Sequence, residues 1–305
     1  WVNSNNKNVV ETLYKQFSYL KIMSTYITKS LPEIISWNFK PTGISYYDMS
    51  FLEGNQVKQN SIITDSKKID SLFNILSSFY DNSLYSDFGE NFNGLSKDII
   101  NKKLFPTLNK VFDDLKKIIR KYEYVLPDNL KNKIILLLEK LSQNDQLWSN
   151  HKLSLIHGDL TTENILFDSK DYIYLIDPLG STMDIRKNGS MDQFTTSIFD
   201  LGKLMQSTIS NYEDWAYLDT ESINLFIRNF SLEEELNQID NNLKELSFLC
   251  NFYGKYIQSN IKVDSLFATA QILIRVAPYR IRANYHHSAL LCILKAYAIL
   301  YYLGN

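Results

Sequence analysis

The stretch Leu155-Ile-His-Gly-Asp-Leu-Thr-Thr-Glu-Asn-Ile-Leu-Phe-Asp168, followed by Tyr174-Leu-Ile-Asp-Pro178, spaces two carboxylates and an amide for phosphate chemistry: Asp159, Asp177 and Asn164. Magnesium keeps most of its waters and takes one or two protein oxygens plus phosphate oxygens, which one carboxylate and one amide can supply. Asn164 and Asp177 meet that demand. Asp159 is then left to orient an acceptor hydroxyl and receive its proton.

The elements that must position these groups are legible around them. Ser154 to Ile156 is a short apolar run, and His157-Gly158-Asp159 is a tight polar turn. Residues 164–167 and 172–176 read as two β-rich runs, with Asp168-Ser-Lys-Asp171 as the turn of a hairpin. Such a hairpin carries Asn164 at the start of one strand and Asp177 at the end of the other, so both reach one mouth beside Asp159. Upstream, residues 8–28 form an amphipathic helix with Val9, Leu13, Phe17, Leu20 and Met23 on its apolar face, and Pro32 lies beyond its end. Two strands follow, near 33–39 and 44–51, joined by Lys40-Pro-Thr-Gly43.

The pattern His157-Gly-Asp-x-x-x-x-Asn164 with Ile176-Asp177 resembles the catalytic core of the aminoglycoside phosphotransferase and choline kinase superfamily, which has the protein-kinase-like fold. Gly158 stands where protein kinases carry Arg in H-R-D, and Pro178 follows the metal aspartate where they have D-F-G. That variant is similar to small-molecule kinases, especially those of bacterial capsule and surface-sugar gene clusters. The resemblance implies an α+β fold: residues 1–52 as a partial kinase N-lobe and hinge, and 53–305 as a mainly helical C-lobe. The C-lobe would hold the catalytic loop at 155–168 and the metal-binding turn at 174–178.

It further implies ATP and Mg2+ as cofactors, Asp159 as the base, Asn164 and Asp177 as metal ligands, and His157 as support for the loop. Asp200, in Phe199-Asp-Leu-Gly-Lys203, matches the helix aspartate that bonds back to the catalytic-loop backbone; its bland alternative is a solvated or capping carboxylate. Glu11 is the candidate for the helix glutamate that pairs the ATP-binding lysine. The hinge would fall at Met49 to Leu52, with Met49 and Phe51 as apolar walls for adenine, although 46–51 is equally a plain alternating strand. The chain departs from the family upstream. Its first glycine is Gly43, and residues 1–7 are too short for a glycine-rich loop and a lysine-bearing strand. The expectation is a fragment whose fused upstream part supplies them.

Composition bounds the rest. With 305 residues, 45% of them hydrophobic, the chain can bury one large or two modest cores. A net charge of -2 argues for neither nucleic acid nor an anionic membrane surface as partner. Cys250 and Cys292 lie in apolar helical patterns and read as buried free thiols in a reducing compartment, the cytoplasm. The apolar run 286–303 has Lys295 at its middle, which favours a buried C-terminal helix over a transmembrane segment. Residues 66–80, 97–122, 128–141 and 191–210 show helical spacing, and 180–190 is an irregular stretch in the place of an activation segment.

For the acceptor, Arg275, Arg280 and Arg282 interrupt an apolar helix near Pro278, and forked guanidinium groups suit an anionic hydroxyl compound such as a sugar acid or sugar phosphate. Salt bridges to acidic helices explain the same arginines. Tyr212, Trp215 and Tyr217 read either as pocket walls or as helix-junction packing. The expected function is a kinase moving the ATP γ-phosphate to a hydroxyl of a sugar, sugar acid, amino alcohol or related metabolite. The alternative is a kinase-like nucleotide-binding or regulatory module without transfer.

Overall fold

Phe17, Leu20 and Met23 recur at helical spacing, and all three are buried on one stripe of helix α1, Lys7–Ser24. The structure is a computed structural model that describes residues 2–3, 7–39, 44–56, 65–83, 95–170, 172–179, 195–216 and 218–304. The chain divides into two compact units: Trp1–Asp87 with Lys152–Asp200, and Phe88–His151 with Leu201–Asn305.

The first unit holds all of the described strands. β2 (Ile34–Asn38) and β3 (Ile44–Met49) pair antiparallel with Trp37 opposite Tyr47, and the short β1 (Val2–Asn3) flanks β3 on its other side. Their connection, 40–43, lies outside the described residues. Phe17 of α1 packs its ring on Trp37, Phe39 and Tyr47 at centroid distances of 5.4, 5.1 and 5.8 Å, which seats the helix on the hairpin through aromatic contacts. The chain then passes through 50–54 into β4 (Asn55–Gln56).

β4 pairs antiparallel with β6 (Ile165–Phe167), and β6 with β7 (Ile173–Leu175), so the expected hairpin is present and gains a third strand. Helix α2 (Ser66–Asn82) starts where the Asp65 carboxylate accepts from the Lys67 and Lys68 amides, and it buries Leu72, Leu76, Phe79 and Tyr80. The helix read from 191 begins only at Ile198. Before it, β8 (Thr195–Thr196) pairs with β5 (Leu153–Ser154), and the Thr196 hydroxyl takes the Ile198 amide at 3.3 Å. Two β-branched threonines favour that extended pairing over a further helical turn.

The second unit is helical. Leu95–Ile99 and Phe105–Lys121 are joined by a π turn at Ile100–Leu104, directly before Pro106, which has no N–H for the regular ladder. Leu130–Ser142 follows, then helix α6 (Ile198–Ser210), which crosses from the first unit, and five further helices from Tyr212 to Arg282. Ahead of β5, Trp148 donates its amide to Asp264 Oδ1 at 3.1 Å and its indole N–H to the Asp264 carbonyl at 3.0 Å, while His151 Nε2 lies 3.0 Å from Asp264 Oδ2.

The helix Ile261–Arg282 continues through Pro278, and His286–Gly304 packs along it. By length and composition the latter could cross a bilayer, with a mean hydropathy of 1.3. Here its apolar surface is spent on neighbouring helices, and buried Lys295 reaches both Glu235 oxygens at 2.7 and 2.8 Å. Cys250 and Cys292 are free and buried, as expected.

Gly202, on α6, marks a close helix approach in the second unit that a substitution can probe. A Cβ there would lie 2.8 Å from Ala268 Cβ and 3.1 Å from Ile272 Cδ1. Gly202→Ala should therefore destabilise the protein by about 1–3 kcal/mol in chemical denaturation, against the helix propensity of alanine. Unchanged or raised stability would show that the packed helices yield at no cost.

Candidate active site

Five successive backbone amides enter the His157-Gly158-Asp159 turn, and each donates to a side chain. Leu155 N–H goes to Ser83 Oγ at 3.2 Å and Ile156 N–H to the Tyr19 hydroxyl at 3.0 Å. His157 and Gly158 both donate to the Asp200 carboxylate, at 2.8 and 2.7 Å, and Asp159 N–H to His157 Nδ1 at 3.3 Å. Gly158 has φ +80°, a conformation that costs glycine little and lets adjacent amides converge on one anion. Asp200 is fully buried and also accepts from the Tyr80 hydroxyl at 2.8 Å. Burial pushes its carboxyl up to about 6; the bonds from Tyr80, His157 and Gly158 pull it back, and the Asp159 charge adds to the rise.

Asp159 is half-buried at the open side of this turn. Asn164 donates its amide N–H to the Asp159 carbonyl at 2.8 Å and to Asp159 Oδ2 at 3.1 Å, which commits the nitrogen and leaves Oδ1 as the amide's acceptor end. The β6–β7 register continues through a bond from Ile176 N–H to the Asn164 carbonyl at 3.0 Å, so the residue before Asp177 lies directly across from Asn164. Leu179 N–H then donates to the His157 carbonyl at 2.9 Å, tying the Asp177-Pro178 turn to the loop. Asp177 sits at φ +52°, in the left-handed region that non-glycine residues seldom occupy, as strained residues at functional turns do.

Partial burial and the neighbouring Asp159 charge raise the Asp177 carboxyl above its ordinary value. Two neighbouring carboxylates with the Asn164 amide beside them form a donor set that a divalent cation would relieve of its repulsion. Among the described residues no group of three or more His, Cys, Asp and Glu side chains forms a metal cluster. The sparse oxygen set at Asp177 and Asn164 fits magnesium, which uses few protein ligands.

Thus Asp159, Asn164, Asp177, His157 and Asp200 come together in the first unit. Glu11 does not join them: its carboxylate is exposed and pairs with Lys15 at 3.0 Å on α1. Met49 ends β3 at an exposed position, and Phe51 beyond it is 91% exposed. Arg275, Arg280 and Arg282 belong to the second unit and meet different partners. Arg275 lies 3.5 Å from Gln271 Oε1, Arg280 is buried and donates to the Tyr212 hydroxyl, and Arg282 stacks over Tyr279. Trp215 is buried against Tyr212 with its indole N–H on the Ser210 carbonyl at 2.7 Å, a packing role. Residues 180–190 and Tyr217 lie outside the described residues.

Four hydroxyl residues of the site escaped sequence reading: Tyr19, Ser83, Tyr80 and Tyr47. Tyr47, on β3, is half-buried, and burial together with the Asp177 charge raises its phenol, which places it in the field of that carboxylate. Its alternation with Ser45 on one strand face was the available signal. The others sit in or beside apolar helix stripes, where a hydroxyl looks like core.

The observed class is the expected one, an α+β protein-kinase-like fold with a partial N-lobe and a mainly helical C-lobe. The chain belongs to the Seadornavirus VP7 family, whose description matches residues 66–289. Comparison with curated proteins finds no match. Among solved structures it is similar to a glucosamine kinase in complex with glucosamine, ADP and inorganic phosphate, with 8% identity and a TM-score of 0.50, over 92% of this chain and 66% of that one. It therefore spans just under two thirds of that kinase.

A choline kinase from Cryptosporidium parvum Iowa II has 14% identity and a TM-score of 0.47, over 94% of this chain and 77% of that one. A gentamicin-APH(2")-IIa complex has 11% identity and a TM-score of 0.49, over 95% and 81%.

The raised Asp200 carboxyl gives a signed pH dependence. Its folded value of about 6 exceeds the unfolded carboxylate value, which is about 4. Its contribution to stability is therefore full below about pH 4 and is lost as pH rises through about 6. Asp200→Asn should flatten that segment of the stability–pH curve and lower the melting temperature, because one buried loop amide then faces an NH2 group. A variant curve parallel to the wild type between pH 4 and 6 would show that Asp200 does not titrate there.

Proposed function

We propose that the chain is a small-molecule kinase that transfers the ATP γ-phosphate to a hydroxyl group. The observation that carries this reading is Asp159, fixed by Asn164 and placed beside Asp177 on a loop anchored by Asp200. Asp159 would accept the proton of the acceptor hydroxyl as its oxygen bonds to the γ-phosphorus and the bond to the β–γ bridging oxygen breaks. Asn164 Oδ1 and the Asp177 carboxylate would hold Mg2+, which when bound supplies neutralisation of the nucleotide phosphates. His157 and Asp200 keep the loop in shape, so most of the rate comes from positioning and charge placement.

The acceptor class is a sugar, sugar acid, amino alcohol or related metabolite. Family membership in Seadornavirus VP7 lends no support to a bacterial surface-polysaccharide setting. A second reading, a kinase-like module that binds nucleotide without transfer, is favoured by one observation: Glu11 is turned to Lys15 at the surface.

Asp159→Asn should reduce phosphate transfer by about 10²–10⁴-fold while magnesium-dependent ATP binding, read by calorimetry, persists. Transfer at the wild-type rate in that variant would overturn the base assignment. ATP binding by the wild type with no transfer to any acceptor in a panel of sugars, sugar phosphates and amino alcohols would establish the second reading. Asp177→Asn should weaken nucleotide binding in magnesium but little in its absence, and equal losses in both conditions would remove Asp177 from the metal site.

A further inference from the structure

Tyr19 of α1 is buried, and its hydroxyl meets one residue of the catalytic loop twice, accepting the Ile156 N–H at 3.0 Å and donating to the Ile156 carbonyl. The Ile156 side chain is itself buried, and the residue lies beyond the end of β5, so its backbone has left the strand ladder. One side chain thus satisfies both polar groups of a buried backbone unit, three residues before Asp159. Burial keeps the phenol protonated by raising its pKa well above the ordinary value, so it remains a donor throughout the working pH range.

The other contacts of α1 give this bond a direction. Phe17, two residues before Tyr19, packs on Trp37, Phe39 and Tyr47 of the β2–β3 hairpin and its end. Tyr47 in turn lies in the field of Asp177. A single helix therefore touches both the β2–β3 hairpin and the backbone that leads to the base. Neither Ser83 nor Asp200 makes that link, since they hold the loop from α2 and α6.

We infer that Tyr19 is a positioning residue that couples the seating of α1 to the geometry of the His157-Gly158-Asp159 loop. Withdrawal of α1 removes the hydroxyl, leaves the Ile156 N–H and C=O without their partner, and lets Asp159 move relative to Asn164 and Asp177. The loop is in register for chemistry only while α1 is docked. The catalytic consequence rests on the kinase reading above; the mechanical coupling does not.

Tyr19→Phe keeps the ring and deletes only the hydroxyl. Hydrogen exchange should show the amides of 156–159 opening at least about tenfold faster, with the β6–β7 hairpin amides unchanged. In transfer assays well below the melting temperature, kcat should fall about tenfold with KM for ATP unchanged. A merely structural tyrosine would lower the melting temperature and leave both readouts alone.

Phe17→Leu provides a second approach should Tyr19→Phe not fold, because it loosens α1 on the hairpin without touching the loop. It too should accelerate exchange at 156–159. Loop exchange equal to wild type in either folded variant overturns the coupling. If the wild-type protein transfers no phosphate, the kinase reading fails, and the exchange experiment still decides the coupling.

Discussion

The buried carboxylate of Asp200 is the constraint on which the site depends. It gathers the His157 and Gly158 amides and the Tyr80 hydroxyl at hydrogen-bond distance, in a place with no exposure to water. A buried anion is costly unless such donors surround it, and buried amides are costly unless an acceptor faces them. Each side of the arrangement removes the penalty of the other. The outcome is a turn with one shape, and Asp159 is the residue that this shape presents.

The second organising interaction is repulsive. The Asp159 charge lies close enough to Asp177 to burden that residue's ionised form, and the backbone holds the two loops together: Leu179 binds the His157 carbonyl, Ile176 binds Asn164, and Asp177 adopts a positive φ. Folding alone gains nothing from two carboxylates at one mouth. An arrangement that concentrates negative charge on a rigid frame, with the amide of Asn164 committed to one side, is poised to take up positive charge. The charge pattern and the backbone strain thus point to the same place in the fold.

The motif residues and their hairpin were legible because they depend on short-range rules: a glycine turn, two β-rich runs and a turn between them set Asn164 and Asp177 at one mouth. The helices at 66–82 and 130–142 and the stripe of α1 were legible for the same reason, since burial periodicity is local. Less was legible where partners are remote. Tyr19 and Ile156 are 137 residues apart, and Tyr80 and Asp200 are 120 apart. A hydroxyl on an apolar stripe carries no local mark of the amide it will meet. Similarly, the strand β8 took two residues that helical spacing had assigned to a longer helix, because its pairing partner lies in another segment.

By itself the sequence determined the chemistry available: which carboxylates, amide and glycine stand at what spacing, and which helix faces are apolar. Tertiary structure alone decided which of those groups meet. It brought Asp200 under the loop, turned Glu11 out to Lys15, left Phe51 in solvent, and placed two hydroxyls on the buried backbone and a third on the Asp200 carboxylate. The physical reason is that spacing along the chain sets side-chain direction, whereas hydrogen-bond satisfaction and carboxylate ionisation are set by what packing brings within a few ångströms.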